Sequence, residues 1–351
     1  MTQPSNSPII DFRSDNTGRV APELLAALAA ANHDTALGYG GDEWTATLQR
    51  RFAEVFETKV AVFPVATGTA ANAVALAALS PSWGAVYCAP EAHVNTSEAN
   101  AVGFFSGGGK LTPVAGSHGK LTSEALAAAL AVAGTGQTHR SQPAAVTMTQ
   151  VTDLGAVYSL AEVVAIGAVA KAHGLKVHMD GARFANALAR LGCSPADLTW
   201  RAGVDVLSFG VTQNGGLLAD AIVVFNPDAV TGLQNQLRRA GPVWSKMRFA
   251  ASQLMAYVED GLWLKMAGAA NAVAARIAAG LGPLAGVEVL APVEANMLFL
   301  RLPAPVIDGL ERDGIRFYRR PGNVVRLVCR FDATDAEADA LLAALHRHIN
   351  G

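Results

Sequence analysis

The spacing of apolar and polar positions changes along the chain. Between residues 59 and 225, short apolar, β-rich runs alternate with longer alanine-rich segments at helical spacing. The apolar runs predict strands at Val60–Phe63, Ala85–Cys88, Ala144–Thr149, Lys176–Met179, Val204–Phe209 and Ala221–Phe225. The segments between them predict helices at Thr69–Leu79, Ser123–Ala133, Leu160–His173 and Phe184–Leu191. This alternation predicts an α/β fold with a mostly parallel sheet flanked by helices.

The two ends of the chain have different patterns. Residues 20–32 and 45–56 have helical spacing on either side of a glycine-rich loop, and residues 233–281 are mostly helical. The last part combines short strands with a final helix after Thr334. We therefore expect an N-terminal arm and helix (1–35), a large ligand-binding domain (36–245) and a smaller C-terminal α/β domain (246–351).

Composition narrows the classes of function. The chain has 351 residues, of which 51% are hydrophobic and 16% are charged, and its net charge is −2. These values favour a compact protein that acts on small molecules, and they give no basic surface for nucleic acid. The three cysteines lack metal-ligand spacing, the first ten residues lack an apolar signal core, and no apolar run is long enough for a membrane span. We expect a cytoplasmic enzyme without a metal site.

The first candidate site follows the strand around Val62. In an open parallel sheet, ligands bind beyond the carboxyl ends of the strands. Thr67, Gly68 and Thr69 stand there at a predicted helix start, where free backbone amides and hydroxyls attract an anion. The segment suits a phosphate-binding turn, and it equally suits an ordinary threonine-capped helix.

The second candidate site is the end of the strand at Lys176–Met179. Asp180 is followed by Gly181, so its carboxylate should enter the crevice beyond the strand. A buried acid needs a cationic partner, such as a protonated pyridine nitrogen in a cofactor. Arg183 could hold a ligand oxygen, or it could form an internal ion pair with Asp180.

Two further strand ends carry candidate residues. His93 follows the strand that ends at Cys88, and it could stack on a planar ring or move protons, although a lone histidine is more often structural. Thr212 lies in a glycine-rich loop at 208–216, whose hydroxyls and amides suit an anion but also suit a turn.

The ordered set of motifs resembles the threonine aldolases. DFRSDN at 11–16, YGGDEW at 39–44, ATGTAAN at 66–72, EAHV at 91–94, HMDGARF at 178–184 and SFGVTQNG at 208–215 occur in the order of that family. The likeness runs over nearly the whole chain and is greatest to the low-specificity and phenylserine aldolase branch. It implies the fold of the aspartate-aminotransferase-like enzymes (fold type I) and pyridoxal 5′-phosphate (PLP) as cofactor.

The resemblance implies roles for individual residues. His93 would stack over the PLP ring, Asp180 would pair with its pyridine nitrogen, and Arg183 would contact cofactor or substrate oxygens. The phosphate would lie against Gly68 and Thr69, and Thr67 and Thr212 would also bind the cofactor. Ser14, Tyr39 and Arg326 would bind the amino-acid substrate, with Tyr39 reaching a neighbouring subunit's site, as would Lys246 and Arg248.

The family's chemistry and assembly follow from the same resemblance. A β-hydroxy-α-amino acid, such as threonine or phenylserine, would be cleaved between Cα and Cβ to glycine and an aldehyde. The protein would be a homotetramer with its sites at the dimer interface. A PLP transaminase or β-eliminating lyase remains an alternative. A nicotinamide dehydrogenase is disfavoured because no GxGxxG follows the first strand.

The chain departs from the family pattern at two places. A His-bearing segment of many threonine aldolases reads Thr149-Gln150-Val151-Thr152-Asp153 here, so Asp153 or a water is the candidate base. Gln213 stands where the family has the Schiff-base lysine, and an amide nitrogen cannot form that bond. Lys246 is the one other lysine that could substitute.

Gln213 leaves three interpretations open. The chain could be an active aldolase disabled by a deliberate lysine-to-glutamine change, or a natural homologue repurposed to bind PLP and amino acids. It could also be a natural enzyme that takes up a preformed cofactor–substrate adduct or uses another nucleophile. With glutamine at position 213, we expect PLP to be held non-covalently and the aldolase activity to be impaired.

Overall fold

The computed structural model describes residues 9–282 and 284–350. Residues 1–8, the polar start of the predicted arm, lie outside the described residues. The α-helices are α1 (Pro22–Ala31), α2 (Glu43–Val55), α3 (Gly68–Leu79), α4 (His93–Thr96), α5 (Ala101–Phe105), α6 (Ser123–Ala131), α7 (Leu160–Ala172), α8 (Phe184–Leu191), α9 (Leu233–Ala240), α10 (Arg248–Val258), α11 (Leu262–Leu281), α12 (Ala304–Arg312) and α13 (Asp335–Asn350).

The strands are distributed over one large sheet and three small ones. They are β1 (Ile10–Asp11), β2 (Ala61–Val65), β3 (Gly84–Cys88), β4 (Lys110–Pro113), β5 (Gly116–Ser117), β6 (Lys120–Leu121), β7 (Gln142–Thr149), β8 (Lys176–Gly181), β9 (Val206–Phe209), β10 (Asp220–Val224), β11 (Glu288–Val289), β12 (Met297–Arg301), β13 (Ile315–Arg316), β14 (Tyr318–Arg320) and β15 (Val324–Val328).

The large sheet has seven strands in the order β2-β10-β9-β8-β7-β3-β4, and only β10 runs antiparallel to its neighbours. The predicted α/β class is therefore confirmed. Because β2, β3, β7, β8 and β9 run in the same direction, their carboxyl ends meet at one edge of the sheet. The antiparallel β10 begins at this edge, with Asp220 opposite Val65.

Alanine enrichment has a packing role in α3. Every residue from Ala71 to Leu79 is buried, and this helix contacts strands on the inner part of the large sheet. Small side chains let a helix approach a sheet closely while keeping high helix propensity. The start of α3 is thereby fixed at the carboxyl edge of β2.

The C-terminal part has its own small core. β11, β12, β15 and β14 form an antiparallel sheet, and its inner side chains pack with α11, α12 and α13. α10 packs on α1 and α2. The division into domains at residues 35 and 245 stays a prediction. No helix in the described ranges is long and apolar enough to cross a bilayer.

Candidate active site

A cavity of about 300 Å³ opens at the carboxyl edge of the large sheet. It collects side chains from the ends of β2, β7, β8 and β9 and from the start of α4. Most of the residues that the sequence predicts for the site line it, namely Thr67, Gly68, Thr69, His93, Asp153, Asp180, Arg183, Thr212 and Gln213.

One side of the cavity has the chemistry of an anion site. Thr67 caps α3, since its Oγ1 accepts the Ala70 amide at 3.1 Å. The predicted threonine cap is therefore present, and it does not conflict with a phosphate-binding turn. A Cβ placed on Gly68 would meet no atom within 4 Å, which shows that the first turn of α3 faces open space. Thr212 Oγ1 is buried and has no hydrogen-bond partner among the described residues. A phosphate would use both features.

Asp180 is buried at the base of the cavity. Its Oδ1 accepts the Ala182 amide at 3.1 Å and its Oδ2 accepts Nδ2 of Asn72 at 3.0 Å. Burial, together with the nearby charges of Glu98 and Asp153, raises the pKa of Asp180 to about 7. This carboxylate is therefore suited to a cationic ligand group that would share its buried charge.

Arg183 forms its ion pair with Asp15 and not with Asp180. Its Nε and Nη2 donate to the two carboxylate oxygens of Asp15 at 2.7 and 2.9 Å. Asn296 donates to the same carboxylate at 3.1 Å. Asp15 thus fixes the plane of the guanidinium group and leaves Asp180 without a protein cation bonded to it.

His93 lies between two carboxylates. Its Nδ1 is 2.8 Å from Oε1 of Glu98, and its backbone amide donates to Oδ2 of Asp153 at 3.0 Å. The hydrogen bond to Glu98 raises the pKa of His93, against an opposing effect of partial burial. Burial also raises the pKa of Asp153. Both side chains can therefore exchange protons nearer neutral pH than an isolated carboxylate does.

Ser14 and Arg326 lie close to this cavity without lining it. Ser14 caps the turn Asp15–Thr17, where its Oγ accepts the Asn16 amide at 3.2 Å. Nη2 of Arg326 donates to the Arg13 carbonyl at 3.3 Å, and its Nε is buried with no partner among the described residues. Burial and the nearby charge of Arg183 lower the pKa of Arg326. An incoming carboxylate would relieve both effects.

Gln213 is carried by a tightly held turn after β9. We call Thr212, Gln213 and Asn214 the 213 turn. Oδ1 of Asp220 accepts the amides of Val211 and Thr212 at 2.9 and 3.0 Å. Nδ2 of Asn214 donates to the Tyr257 hydroxyl at 2.8 Å and to the Trp263 carbonyl at 2.9 Å. Within the described part of the chain, no lysine, Lys246 included, lines the cavity.

Tyr39 is not brought to the main cavity of its own chain. It lines a second cavity of about 370 Å³, where the Arg238 guanidinium lies 4.5 Å from the centre of its ring. Arg248 donates to the carbonyls of His33 and Asp34. The expected role of Tyr39 in a neighbouring subunit's site stays a prediction.

Sequence reasoning assigned no role to four buried residues at the site. Asp15 orients Arg183, Asp220 holds the 213 turn, and Asn72 and Glu98 join His93 to Asp180. Asn72 closes the ATGTAAN motif and Glu98 follows His93 by five residues. The residue types at these positions can be read from the sequence. The hydrogen bonds that join them to segments far away in the chain cannot.

Comparison with known proteins gives a consistent set of relatives. Residues 11–303 match the family model described as "Beta-eliminating lyase". The chain is 42% identical to the low specificity L-threonine aldolase of Pseudomonas sp. (strain NCIMB 10558), over 95% of this chain and 96% of the relative. It is 44% identical to the enzyme of that name from Pseudomonas aeruginosa, over 97% and 98% of the two chains. The solved threonine aldolase of Leishmania major superimposes with a TM-score of 0.90 at 26% identity, over 97% of this chain and 100% of that one.

Proposed function

The chain belongs to the beta-eliminating lyase family and, within it, to the low-specificity L-threonine aldolases, and from that membership we propose how its cavity holds PLP and limits turnover. The family cleaves β-hydroxy-α-amino acids to glycine and an aldehyde, with PLP as cofactor. One observation carries the proposal: the anion site, Asp180, His93 and position 213 line one cavity, and position 213 is glutamine.

The residues present fit PLP at both of its polar ends. The open space beside Gly68 and the Thr212 hydroxyl, which has no partner among the described residues, suit the phosphate. Asp180 suits the pyridine nitrogen, because a protonated ring nitrogen would stabilise the carboxylate in its buried position. When bound, PLP supplies an electron sink for the carbanion that carbon–carbon cleavage leaves at Cα.

His93, Arg183 and Arg326 would orient the reactants. The imidazole ring of His93 lines the cavity, where it can cover the cofactor ring and exclude water from one face. Nε of Arg326 is buried with no partner in the described ranges, and Arg326 lies close enough to Arg183 for their charges to interact. The two guanidinium groups can therefore receive the substrate carboxylate. Ser14 adds a hydroxyl beside them.

Asp153 is the base in this proposal. Its Oδ2 accepts the His93 amide, which leaves Oδ1 to receive the proton of the substrate's β-hydroxyl group. Burial raises the pKa of Asp153, so this carboxylate binds the proton more readily than an exposed aspartate would. In a Gln213→Lys background, Asp153→Asn should lower kcat for phenylserine cleavage with little change in KM. An unchanged kcat would remove Asp153 from this role.

Gln213 sets the limit on turnover. An amide nitrogen is not nucleophilic at neutral pH, so the side chain cannot make the covalent bond that the family's lysine makes with PLP. The amide has a reach similar to that of lysine and carries no charge, so the cavity can keep its shape. We therefore expect reversible PLP binding and severely reduced cleavage.

The variant Gln213→Lys tests this proposal. With PLP added, we expect the visible absorption band of lysine-bound cofactor to appear together with aldehyde release from threonine or phenylserine. The rate should rise by at least about 10³-fold over the unmodified chain, because a whole nucleophilic step is restored. Gln213→Met is the matched control, since it has similar length and no nucleophile. Neither band nor activity in Gln213→Lys would favour a homologue repurposed for binding.

The assembly belongs to the same proposal, as a homotetramer with sites at the dimer interface. Leu217 and Leu218, which follow the 213 turn, are 51% and 49% exposed, and Leu37 in the glycine-rich loop is 76% exposed. Apolar side chains of this size beside a site favour a protein partner, and a second copy of the chain would cover them. The cysteines are free thiols, which supports a reducing cytoplasm as the location.

Sedimentation equilibrium tests the assembly. The unmodified chain should sediment as a tetramer, and Leu217→Glu should shift it toward smaller species. Val132→Glu is the control, because Val132 is exposed at the end of α6, which does not line the cavity. A monomeric unmodified chain would contradict the proposed assembly and leave the cofactor site untouched.

A further inference from the structure

Glu98 is a carboxylate that the function described so far does not use. Its side chain is 0% exposed, and it lies in the turn between α4 and α5. Oε1 lies 2.8 Å from Nδ1 of His93 and accepts Nδ2 of Asn72 at 2.9 Å. Oε2 is buried and has no hydrogen-bond partner in the ranges that the structure describes. A buried carboxylate with one unused oxygen is costly for folding, which calls for a reason to keep it.

The hydrogen bonds of Asn72 show which atoms of Asn72, Glu98 and His93 donate and which accept. Its Nδ2 lies 2.9 Å from Glu98 Oε1 and 3.0 Å from Asp180 Oδ2. Both partners are carboxylate oxygens, so this atom of Asn72 must be the amide nitrogen, with one hydrogen for each. Glu98 Oε1 is therefore already an acceptor, and the short contact with His93 places a hydrogen on Nδ1. That leaves Nε2 as the nitrogen free to face the cavity.

The charges around His93 point the same way. Three carboxylates from three segments face it: Glu98 after α4, Asp153 after β7 and Asp180 on β8. Arg183 is the other cation that lines the cavity, and Asp15 neutralises it. Among the described residues, His93 is the one cationic group bonded to Glu98, so an imidazolium ring is the group that can balance this carboxylate.

We propose that Glu98 is a positioning residue for His93: it fixes the ring by its Nδ1 hydrogen, favours the protonated ring over the neutral one, and is tied through Asn72 to Asp180. This inference rests on the proposed PLP site, because its consequence is a fixed ring that is more readily protonated where the cofactor binds. A positive ring there stabilises negative charge in a neighbouring aromatic system. Asn72 couples the charges of Glu98 and Asp180, because its amide nitrogen donates to both carboxylates. A change in the charge of one carboxylate therefore alters the hydrogen bond to the other.

The test uses the full chain without cofactor and reads the His93 ring directly. In Glu98→Gln the side chain keeps its size and its acceptor oxygen but loses its charge. The NMR titration of His93, assigned by the signals lost in His93→Asn, should show about a tenfold lower affinity for the proton. Glu91→Gln is the control, because Glu91 is an exposed acid two residues before His93 and should leave the titration unchanged.

Several outcomes separate positioning from a structural role. A Glu98 that serves only folding would lower the Tm in Glu98→Gln and leave the proton affinity of His93 as it is, which would overturn the proposal. Glu98→Asp keeps the charge at a greater distance and should restore part of the affinity. In the unmodified chain, ring ¹⁵N shifts at high pH should report hydrogen on Nδ1, and a ring with hydrogen on Nε2 would also overturn it.

Failure of this inference differs from failure of the proposed function. The His93 titration needs neither PLP nor turnover, so it can fail while the chain still binds PLP. Conversely, a chain that binds no PLP would remove the proposed function and leave the titration result intact.

Discussion

Two regions of one cavity differ in how completely they serve the family's chemistry. The Asp180 network, which we define as His93, Glu98, Asn72 and Asp180, is joined by hydrogen bonds, although Oε2 of Glu98 and Oδ1 of Asn72 have no partner among the described residues. The 213 turn is held equally well, by Asp220 on one side and by Asn214 on the other. In the proposed function, it presents an amide where the chemistry needs an amine. Both regions therefore have an ordered scaffold, but the 213 turn lacks the reactive group.

The largest expected effect is on cofactor affinity at Asp180. Asp180→Asn keeps the size of the side chain and removes the charge that would pair with the pyridine nitrogen. Loss of one partner of a buried ion pair should weaken PLP binding on the order of 100-fold. Fluorescence titration measures it, with Asp197→Asn as the control, because Asp197 is a half-buried aspartate that does not line the cavity. Equal PLP affinity in Asp180→Asn and the unmodified chain would place the cofactor elsewhere.

The same variant should have the opposite effect on the stability of the chain without cofactor. The pKa of Asp180 is raised to about 7, so the folded state holds a proton that the unfolded state releases above pH ~4. The free energy of unfolding should therefore fall as the pH rises from about 4 to about 7, and this cost persists at higher pH. Urea denaturation at pH 8 should show Asp180→Asn to be the more stable protein. A less stable variant would mean that Asp180 is not strained by burial.

The scaffold of the 213 turn can be tested apart from its missing amine. Asn214→Ala removes two buried hydrogen bonds and should cost about 2 kcal/mol in the free energy of unfolding. Gln213→Ala, one residue earlier, should change it by less than about 0.5 kcal/mol because Gln213 is half-buried and faces the cavity. Denaturant titration compares the two. A larger loss for Gln213→Ala would show that glutamine has a structural role in the turn.

The smallest expected effect concerns Thr212. Thr212→Val removes a buried hydroxyl that has no partner among the described residues, so the chain without cofactor should keep or slightly gain stability. PLP affinity should fall by about fivefold to tenfold, since the phosphate would lose one donor. Isothermal titration calorimetry measures the PLP affinity, and thermal denaturation measures the stability of the chain without cofactor. Unchanged affinity would place the phosphate away from this hydroxyl.

The fold followed from the sequence because its signals are local. The alternation of apolar runs and alanine-rich helices predicted β2, β3 and β7 to β10 to within a few residues, and α3 begins one residue from its predicted start. β4 was missed because only four residues form it and two of them are exposed. The antiparallel direction of β10 also has no local signal, since it depends on how the ten-residue connection at 210–219 turns the chain back along β9.

The site was predicted in part for the same reason. Residues at strand ends, such as Asp180 and His93, could be read from position and chemical type. The ion pair of Arg183 with Asp15 could not, because it joins residues 168 positions apart, and the sequence offered Asp180 as a nearer partner. Glu98 and Asn72 show the same limit, since their roles depend on side-chain directions fixed by tertiary packing.

The proposed function requires that this chain bind PLP in its cavity without a covalent bond. Incubation of the unmodified chain with PLP, followed by borohydride reduction and peptide mass spectrometry, tests it most directly. We expect saturable binding that dialysis reverses, and no pyridoxyl group on any lysine after reduction, whereas Gln213→Lys should be labelled at position 213. A stoichiometric pyridoxyl group on Lys246 or any other lysine of the unmodified chain would contradict the account.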